Sequence, residues 1–430
     1  MDLRAVRGMK DILPEHVGQW HRLERTFRAA AERHGYAEVR TPLLEPTELF
    51  VRQIGESTDV VEKEMYSFER HGDALTVRPE GTAGVARAYV QNAVQGKEPV
   101  SRWYYLGPMF RAERPAKGRL RQFHQAGCEL FGDPGPVCDA ELIGLVAEVV
   151  GELGIGDYRI HVNSIGSKAA QARYREALRS HFAPIAGSLS EDSRRRLQTN
   201  PLRILDSKSP EDAAAIAAAP TATELLDGDD AAHFQGLCRY LESLELPFVV
   251  DPKLVRGLDY YTRTLFELRT TTDELGAQSA LAGGGRYDGM VESLGGPAVP
   301  AIGFAMGLER LLALMPEAAA AAGPHCYLVT LGEPTHAPAL RLASRLRQAG
   351  LRVELDARAA SLKAKLRRAD GLRASLCLLL GEGELARGVV TVKDLARHEQ
   401  WEVSLEEAPR SLGTRLAEGP PPAGAGSRDG

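Results

Sequence analysis

Apolar side chains at Val17, Trp20, Leu23, Phe27 and Ala31 recur three and four positions apart, the spacing of a helix with one buried face. Pro14 and Glu15 suit its first turn and Gly35 its end, so the pattern predicts an amphipathic helix. Residues 36–42 follow as a strand in which Val39 and Thr41 favour extended backbone, and Pro42 confines it to a sheet edge or to a place where pairing ends. The clearest alternation lies further on. Residues 103–113 and 122–131 flank a loop of turn formers, 114–121, and predict a long antiparallel hairpin. A shorter hairpin, 64–69 with 74–79, turns at His71, Gly72 and Asp73 and runs through Glu80 and Gly81 into a helix that Thr82 can cap.

Residues 139–151 read as a helix and 158–163 as a strand. Between 167 and 244 the chain is rich in Ala, Arg and Glu, has helix starts at Ser190 and Ser209, and holds few strand candidates, which predicts a helical insertion. Strands return at 247–250, 254–261 and 262–269; a glycine-rich turn at 282–289 and an apolar strand at 300–306 follow, the latter feeding a helix from Gly307. Past an Ala- and Pro-rich linker, strands at 326–331, 351–355 and 374–380 alternate with helices at 337–349 and 361–370, a small α/β domain to which 389–392 and 401–404 add strands. The Pro- and Gly-rich tail, 416–430, reads as disordered.

Composition changes this picture little. The 430 residues are 43% hydrophobic and 26% charged, ordinary values for a globular chain of two to four domains. No run approaches the ~20 apolar residues of a membrane span, and the first residues lack the apolar core of a signal peptide, so a cytoplasmic location is expected. Cys128, Cys138, Cys238, Cys326 and Cys377 are scattered without a CxxC pair, supporting neither a disulfide framework nor a zinc site. The net charge of −5 makes no global case for nucleic acid. Locally, residues 341–373 carry ten Lys or Arg against Glu354, Asp356 and Asp370, either a basic surface or a set of solvated helix faces.

Candidate chemistry gathers on the long hairpin. Strand alternation puts Met109, Arg111 and Glu113 on one face, and Phe123, Gln125, Gly127, Glu129 and Phe131 on one face of the partner strand. This is either a solvated sheet face or a polar pocket in which glycine removes bulk. Five cations, Arg111, Arg114, Lys117, Arg119 and Arg121, make anion binding a physical expectation there. Glu80, at a strand-to-helix junction, suits an ammonium group or simply the helix N-terminus. Residues 256–259 form a turn delivering Arg256, Tyr260 and Tyr261 to a strand edge, unless Arg256 pairs with Asp259 and the tyrosines pack. Arg310 opens a helix, where the macrodipole disfavours a cation, so it needs Glu309, another carboxylate or a bound phosphate.

In this order these segments resemble the three motifs of class II aminoacyl-tRNA synthetases: the helix and strand between Val17 and Pro42, the central hairpin, and residues 301–312. The string from Leu254 to Tyr261, with residues 282–289, resembles the signature of the histidyl-tRNA synthetases within that class. The resemblance implies an α+β fold. An antiparallel-sheet catalytic domain (1–166 and 245–318) would carry the helical insertion (167–244), joined by a linker (319–324) to a mixed-sheet α/β anticodon-binding domain (325–415). It implies a histidine–tRNA ligase using ATP and Mg2+ on L-histidine and tRNA(His), and a homodimer through the region from Val17 to Pro42. By the same resemblance Arg111 and Arg256 grip the α-phosphate and the carboxylate, and Arg310 holds the γ-phosphate, with Glu113 and Arg119 also at ATP. Glu80, Gly81, Thr82 and Gln125 would hold the α-ammonium end of histidine, with Glu129, Tyr260 and Tyr261 at the imidazole. Arg114, Lys117 and Arg121 would meet tRNA phosphates. No magnesium ligand is assigned, and Glu113 equally suits the ATP amino group or a hairpin contact. A second reading is a non-catalytic histidine-sensing paralogue that regulates ATP phosphoribosyltransferase; such proteins lack the C-terminal domain and commonly lose the arginines.

Overall fold

An eight-stranded sheet runs in the order Ala37–Glu38, Ser101–Phe110, Gln122–Phe131, Ala301–Gly307, Ala280–Arg286, Thr262–Thr270, Tyr158–Ser164 and Phe248–Val250. Its interior pairings are antiparallel, and only the two outermost pairs are parallel. The computed structural model describes residues 3–55, 58, 60–116, 118–276, 279–317 and 323–417. The chain divides into two units, Met1–Ala318 and Ala319–Gly430.

Side-chain alternation gives the large sheet two unlike faces. One is apolar: Tyr104, Cys128, Leu130, Phe304, Phe266 and Val162 pack against Leu23 and Phe27 of the helix Pro14–Arg33 and Leu142, Leu145 and Val149 of the helix Pro136–Glu152. On the other, Tyr105, Met109 and Phe131 pack with Val85, Ala86 and Tyr89, and the strip beside them carries the candidate site. Beside it a three-stranded sheet of Leu44–Pro46, Asp73–Val77 and Tyr66–Arg70 leads into the helix Thr82–Gln91.

Several local expectations change. Of residues 36–42 only Ala37–Glu38 pair, parallel to Trp103 and Tyr104 at the sheet edge. The first hairpin strand spans Ser101–Phe110; Arg111 still donates its N–H across to Arg121 O at 2.9 Å, and with Ala112 the chain turns away to Glu64 O at 2.6 Å. Residues 254–261 form no strand: Asn163 Nδ2 binds Leu254 O and the Asp259 N–H binds Ile54 O. The glycines from 283 to 285 lie inside the central strand Ala280–Arg286 and not in a turn, since neighbouring groups occupy the space their side chains would need. Thr82 does not cap its helix; Glu80 accepts the N–H groups of Thr82 and Ala83, each at 2.8 Å.

Residues 168–243 contain the helices Lys168–Phe182, Glu191–Thr199 and Gly228–Ser243, with no strand. The second unit is a five-stranded mixed sheet in the order Val353–Asp356, Cys326–Leu331, Leu376–Gly381, Val389–Asp394 and Glu399–Ser404, the first three parallel. It closes its own core with the helices His336–Gln348 and Ala408–Ala417, the latter unforeseen. The five cysteines are free, and no helix among the described residues is long and apolar enough to cross a membrane. Residues 319–322 of the expected linker, 418–430 of the expected tail, and Lys117 lie outside the described residues.

Candidate active site

Register explains why part of one face of the large sheet is open. Tyr105 lies opposite Gly127, which lies opposite Ala305, which lies opposite Gly283; one step along, Glu129 faces Gly303 and Gly303 faces Gly285. At Gly127, Ala305 and Gly283, and again at Gly303 and Gly285, the side chains that would tile the sheet are thus reduced to hydrogen or methyl. Above them is a cavity of about 180 Å³. Glu80 and Thr82 enter it from the start of their helix; Arg111, Glu113 and Arg119 from the hairpin loop; Arg256, Tyr260 and Tyr261 from the loop 254–261; and Arg310 from the helix Leu308–Leu314. Gln125, Phe123 and Tyr287 line it as well.

One end is carboxylic and phenolic. Glu80 is 4% exposed, and burial pushes its carboxyl upward against the two N–H bonds it accepts. Glu129 is fully buried beneath the cavity and reaches it through two hydroxyls that line it: Thr82 Oγ1 donates to Oε1 at 2.7 Å and the Tyr287 hydroxyl to Oε2. Burial pushes Glu129 up to about 8, the two hydroxyl bonds pulling the other way. Gln125 Oε1 and the Tyr105 hydroxyl are buried and lack a partner among the described residues. Such atoms cost free energy unless something else completes them. Gly81 supplies room and not contact, since a Cβ there would lie 2.2 Å from the Tyr105 ring.

The other end is cationic. Arg256 does not pair with Asp259; it reaches Glu267, which also takes Arg269 Nε at 2.7 Å, and the tyrosine rings of 260 and 261 sit 4.6 Å apart. Burial works against the charge of Arg256, but Glu267 more than offsets it and holds the guanidinium protonated. Arg111 donates Nε to Pro79 O at 2.9 Å and spreads over the Phe123 ring at 5.3 Å. Arg310 donates to Gly118 O at 3.1 Å and Ala280 O at 2.7 Å, while Glu309 turns to His124. Burial lowers the pKa of Arg310, and the neighbouring cations Arg119 and Arg111 lower it further. Three guanidiniums near enough to repel one another favour an anion between them. Glu113 pairs with Arg119 at 3.1 Å. Arg114 is exposed and does not line the cavity, and Arg121 is turned to Glu113 O at 3.2 Å.

Tyr287, Tyr105 and Glu267 were absent from the expected set. Reading 280–287 as a strand would have found Tyr287, because Gly283, Gly285 and Tyr287 then share a face. Tyr105 and Glu267 carry no local signal, since their roles depend on register across the sheet.

Residues 8–311 match the family described as Histidyl-tRNA synthetase, and residues 325–415 the Anticodon binding domain. A protein of Sorangium cellulosum (strain So ce56) named "Histidine--tRNA ligase" is 63% identical over 428 residues, covering 100% of each chain. The solved apo histidyl-tRNA synthetase of S. aureus is similar at a TM-score of 0.80 with 33% identity, over 96% of this chain and 100% of that one. The fold is also shared, at a TM-score of 0.65 and 22% identity over 89% of this chain and 99% of the other, by a Bacillus halodurans C protein described as an ATP phosphoribosyltransferase regulatory subunit/histidyl-tRNA synthetase. Fold alone therefore does not separate ligase from regulator.

Proposed function

The chain belongs to the histidyl-tRNA synthetase family, and from that premise we propose how its cavity charges tRNA(His) with histidine. It is an ATP-dependent aminoacyl-tRNA ligase. In the first step a carboxylate oxygen of histidine attacks the α-phosphorus of ATP. The new P–O bond forms as the bond to the β-phosphate bridge breaks, giving histidyl-adenylate and pyrophosphate.

Glu80, Thr82 and Gln125 take the ammonium group; Gln125 Oε1 is then the acceptor that lacks a partner without substrate. Arg111 and Arg256 hold the carboxylate and the α-phosphate, stabilising charge that grows at phosphorus. Arg310 and Arg119 take the outer phosphates. Tyr260, Tyr261 and Tyr287 meet the imidazole, and Glu129 fixes the hydroxyls of Thr82 and Tyr287 from below. A neutral imidazole offers one donor and one acceptor, and a site built for both rejects side chains lacking them by roughly 10⁴ to 10⁵.

Magnesium fits this arrangement. The ion would ride mainly on the phosphates, and Glu113, which lines the cavity beside Arg119, would be a carboxylate to hold it. When bound it neutralises phosphate charge. In the second step the terminal ribose hydroxyl of tRNA attacks the adenylate carbonyl and AMP leaves. Arg114, Lys117 and Arg121 would face acceptor-stem phosphates and residues 325–415 the anticodon. A homodimer through the region from Val17 to Pro42 is proposed on the open edge of Ala37–Glu38, and a cytoplasmic location follows from the reaction.

One observation carries the reading: a single cavity joins a buried carboxyl end to a guanidinium cluster, matching an amino acid laid against a polyphosphate. The regulatory alternative needs neither the guanidinium cluster nor the second unit. Arg256→Ala tests the assignment: adenylation, followed as histidine-dependent exchange of pyrophosphate into ATP, is lost while the protein stays folded and binds histidine. A wild-type exchange rate would remove Arg256 from the mechanism.

A further inference from the structure

The loop 254–261 belongs to no strand, yet it carries Arg256, Tyr260 and Tyr261 into the cavity. Asn163 and the Ile54 carbonyl hold it from the first unit's own sheet and helices, and the rest of its support comes from the insertion. Leu254 and Tyr261 are buried in a hydrophobic core shared with Tyr174, Leu178, Phe182 and Ile204, separate from the core beneath the large sheet. Gln171 Nε2 donates to Tyr261 O at 2.9 Å. At the middle of the loop, Asp259 Oδ1 accepts from Arg203 Nε at 3.1 Å, Arg203 Nη2 at 2.7 Å and Asn200 Nδ2 at 3.1 Å. Arg203 and Asp259 are 12% and 27% exposed, so the contact is better shielded from solvent than a surface ion pair. Beside Arg256 is a small cavity of about 30 Å³ whose lining includes Arg203, Asn200, Asp259 and Arg256 itself. Arg256, whose guanidinium reaches Glu267, thus has space beside it where the ion pair stands.

We propose that Arg203 and Asp259 are positioning residues: their ion pair ties the helical insertion to the loop and holds Arg256 where its guanidinium meets the reacting phosphate. The inference rests on the role proposed for Arg256. Gly257 lies between Arg256 and Asp259, and glycine backbone holds its conformation only where contacts impose it. Fixing Asp259 therefore fixes the reach of Arg256.

The test is histidine-dependent pyrophosphate exchange by the full chain carrying Asp259→Asn, Arg203→Ala, both together, Arg203→Lys, or Arg256→Ala. Each of the first two lowers kcat roughly 10²-fold while KM for histidine moves less than about threefold, as expected of a displaced catalytic group. The double variant is no worse than the worse single, and Arg203→Lys recovers part of the rate. Wild-type kcat in Asp259→Asn, losses that multiply in the double variant, or a kcat loss matched by an equal loss of histidine affinity each overturns the proposal. Asp259→Asn keeps the side-chain shape and decides the matter if Arg203→Ala is too unstable to assay. An active Arg256→Ala brings down the site assignment and the inference together, whereas an inactive Arg256→Ala beside a normal Asp259→Asn brings down the inference alone.

Discussion

A carboxyl group with no exposure and two hydroxyl donors is a costly thing to place beside a binding cavity. At Glu129 burial outweighs the hydrogen bonds from Tyr287 and Thr82, and the group titrates at about 8 in place of 4.5. Between those values the unfolded chain has released the proton that the folded chain keeps, so stability falls as pH climbs; above about 8 both states are ionised and the loss is complete. Glu129→Gln cannot ionise. Its stability relative to the parent, measured by urea unfolding, should rise from pH 5 to pH 8 and then level, whereas a difference independent of pH would mean that Glu129 is charged in the fold. Much of this end of the site was legible in the sequence. Glu80, Gln125 and Glu129 stand out as polar residues on predicted strands and junctions. What could not be read was that Glu129 acts from below, because that depends on Thr82 giving its hydroxyl across the sheet instead of capping its own helix.

Glycine is the working residue at the scale of elements, and its meaning differs between neighbours in one strand. A Cβ on Gly283 would lie 2.4 Å from Arg256 Nη1, the movable end of a long side chain. At Gly284 it would lie 2.2 Å from Gly303 O and 2.8 Å from Phe304 Cα, backbone that cannot give. Gly283→Ala should therefore leave the melting temperature almost unchanged and lower pyrophosphate exchange roughly 10²-fold by pushing Arg256 aside, while Gly284→Ala should lower the melting temperature itself. Equal effects of the two substitutions would contradict this division. The long hairpin, the first helix and the strand-helix alternation from Cys326 onward were readable because period-two and period-3.6 patterns run through them. The strand Ala280–Arg286 was not, since glycine signals a turn unless register shows what fills the space above it. The loop 254–261 misled in the opposite direction: Val255, Tyr260 and Tyr261 have strand propensity, but the insertion's core and the cavity claim them.

Two units, each with its own buried core, divide the labour of the whole molecule. The first, matching a histidyl-tRNA synthetase over residues 8–311, holds every cavity-lining residue argued above; the second matches an anticodon-binding domain. Net charge concealed this division, because −5 overall includes a segment at 341–373 in which cations outnumber acids by seven. Order along the chain revealed it: an antiparallel sheet with a helical insertion, then an alternating α/β unit, is a plan that length and periodicity convey even where single residues do not. Activation of histidine at the expense of ATP belongs, on this division, to the first unit. Exchange of labelled pyrophosphate into ATP by the purified chain, with magnesium and with each amino acid in turn, tests it most directly. Exchange should require histidine and stay at background with the others; no exchange by folded protein, or exchange indifferent to histidine, would mean that the cavity does not form histidyl-adenylate.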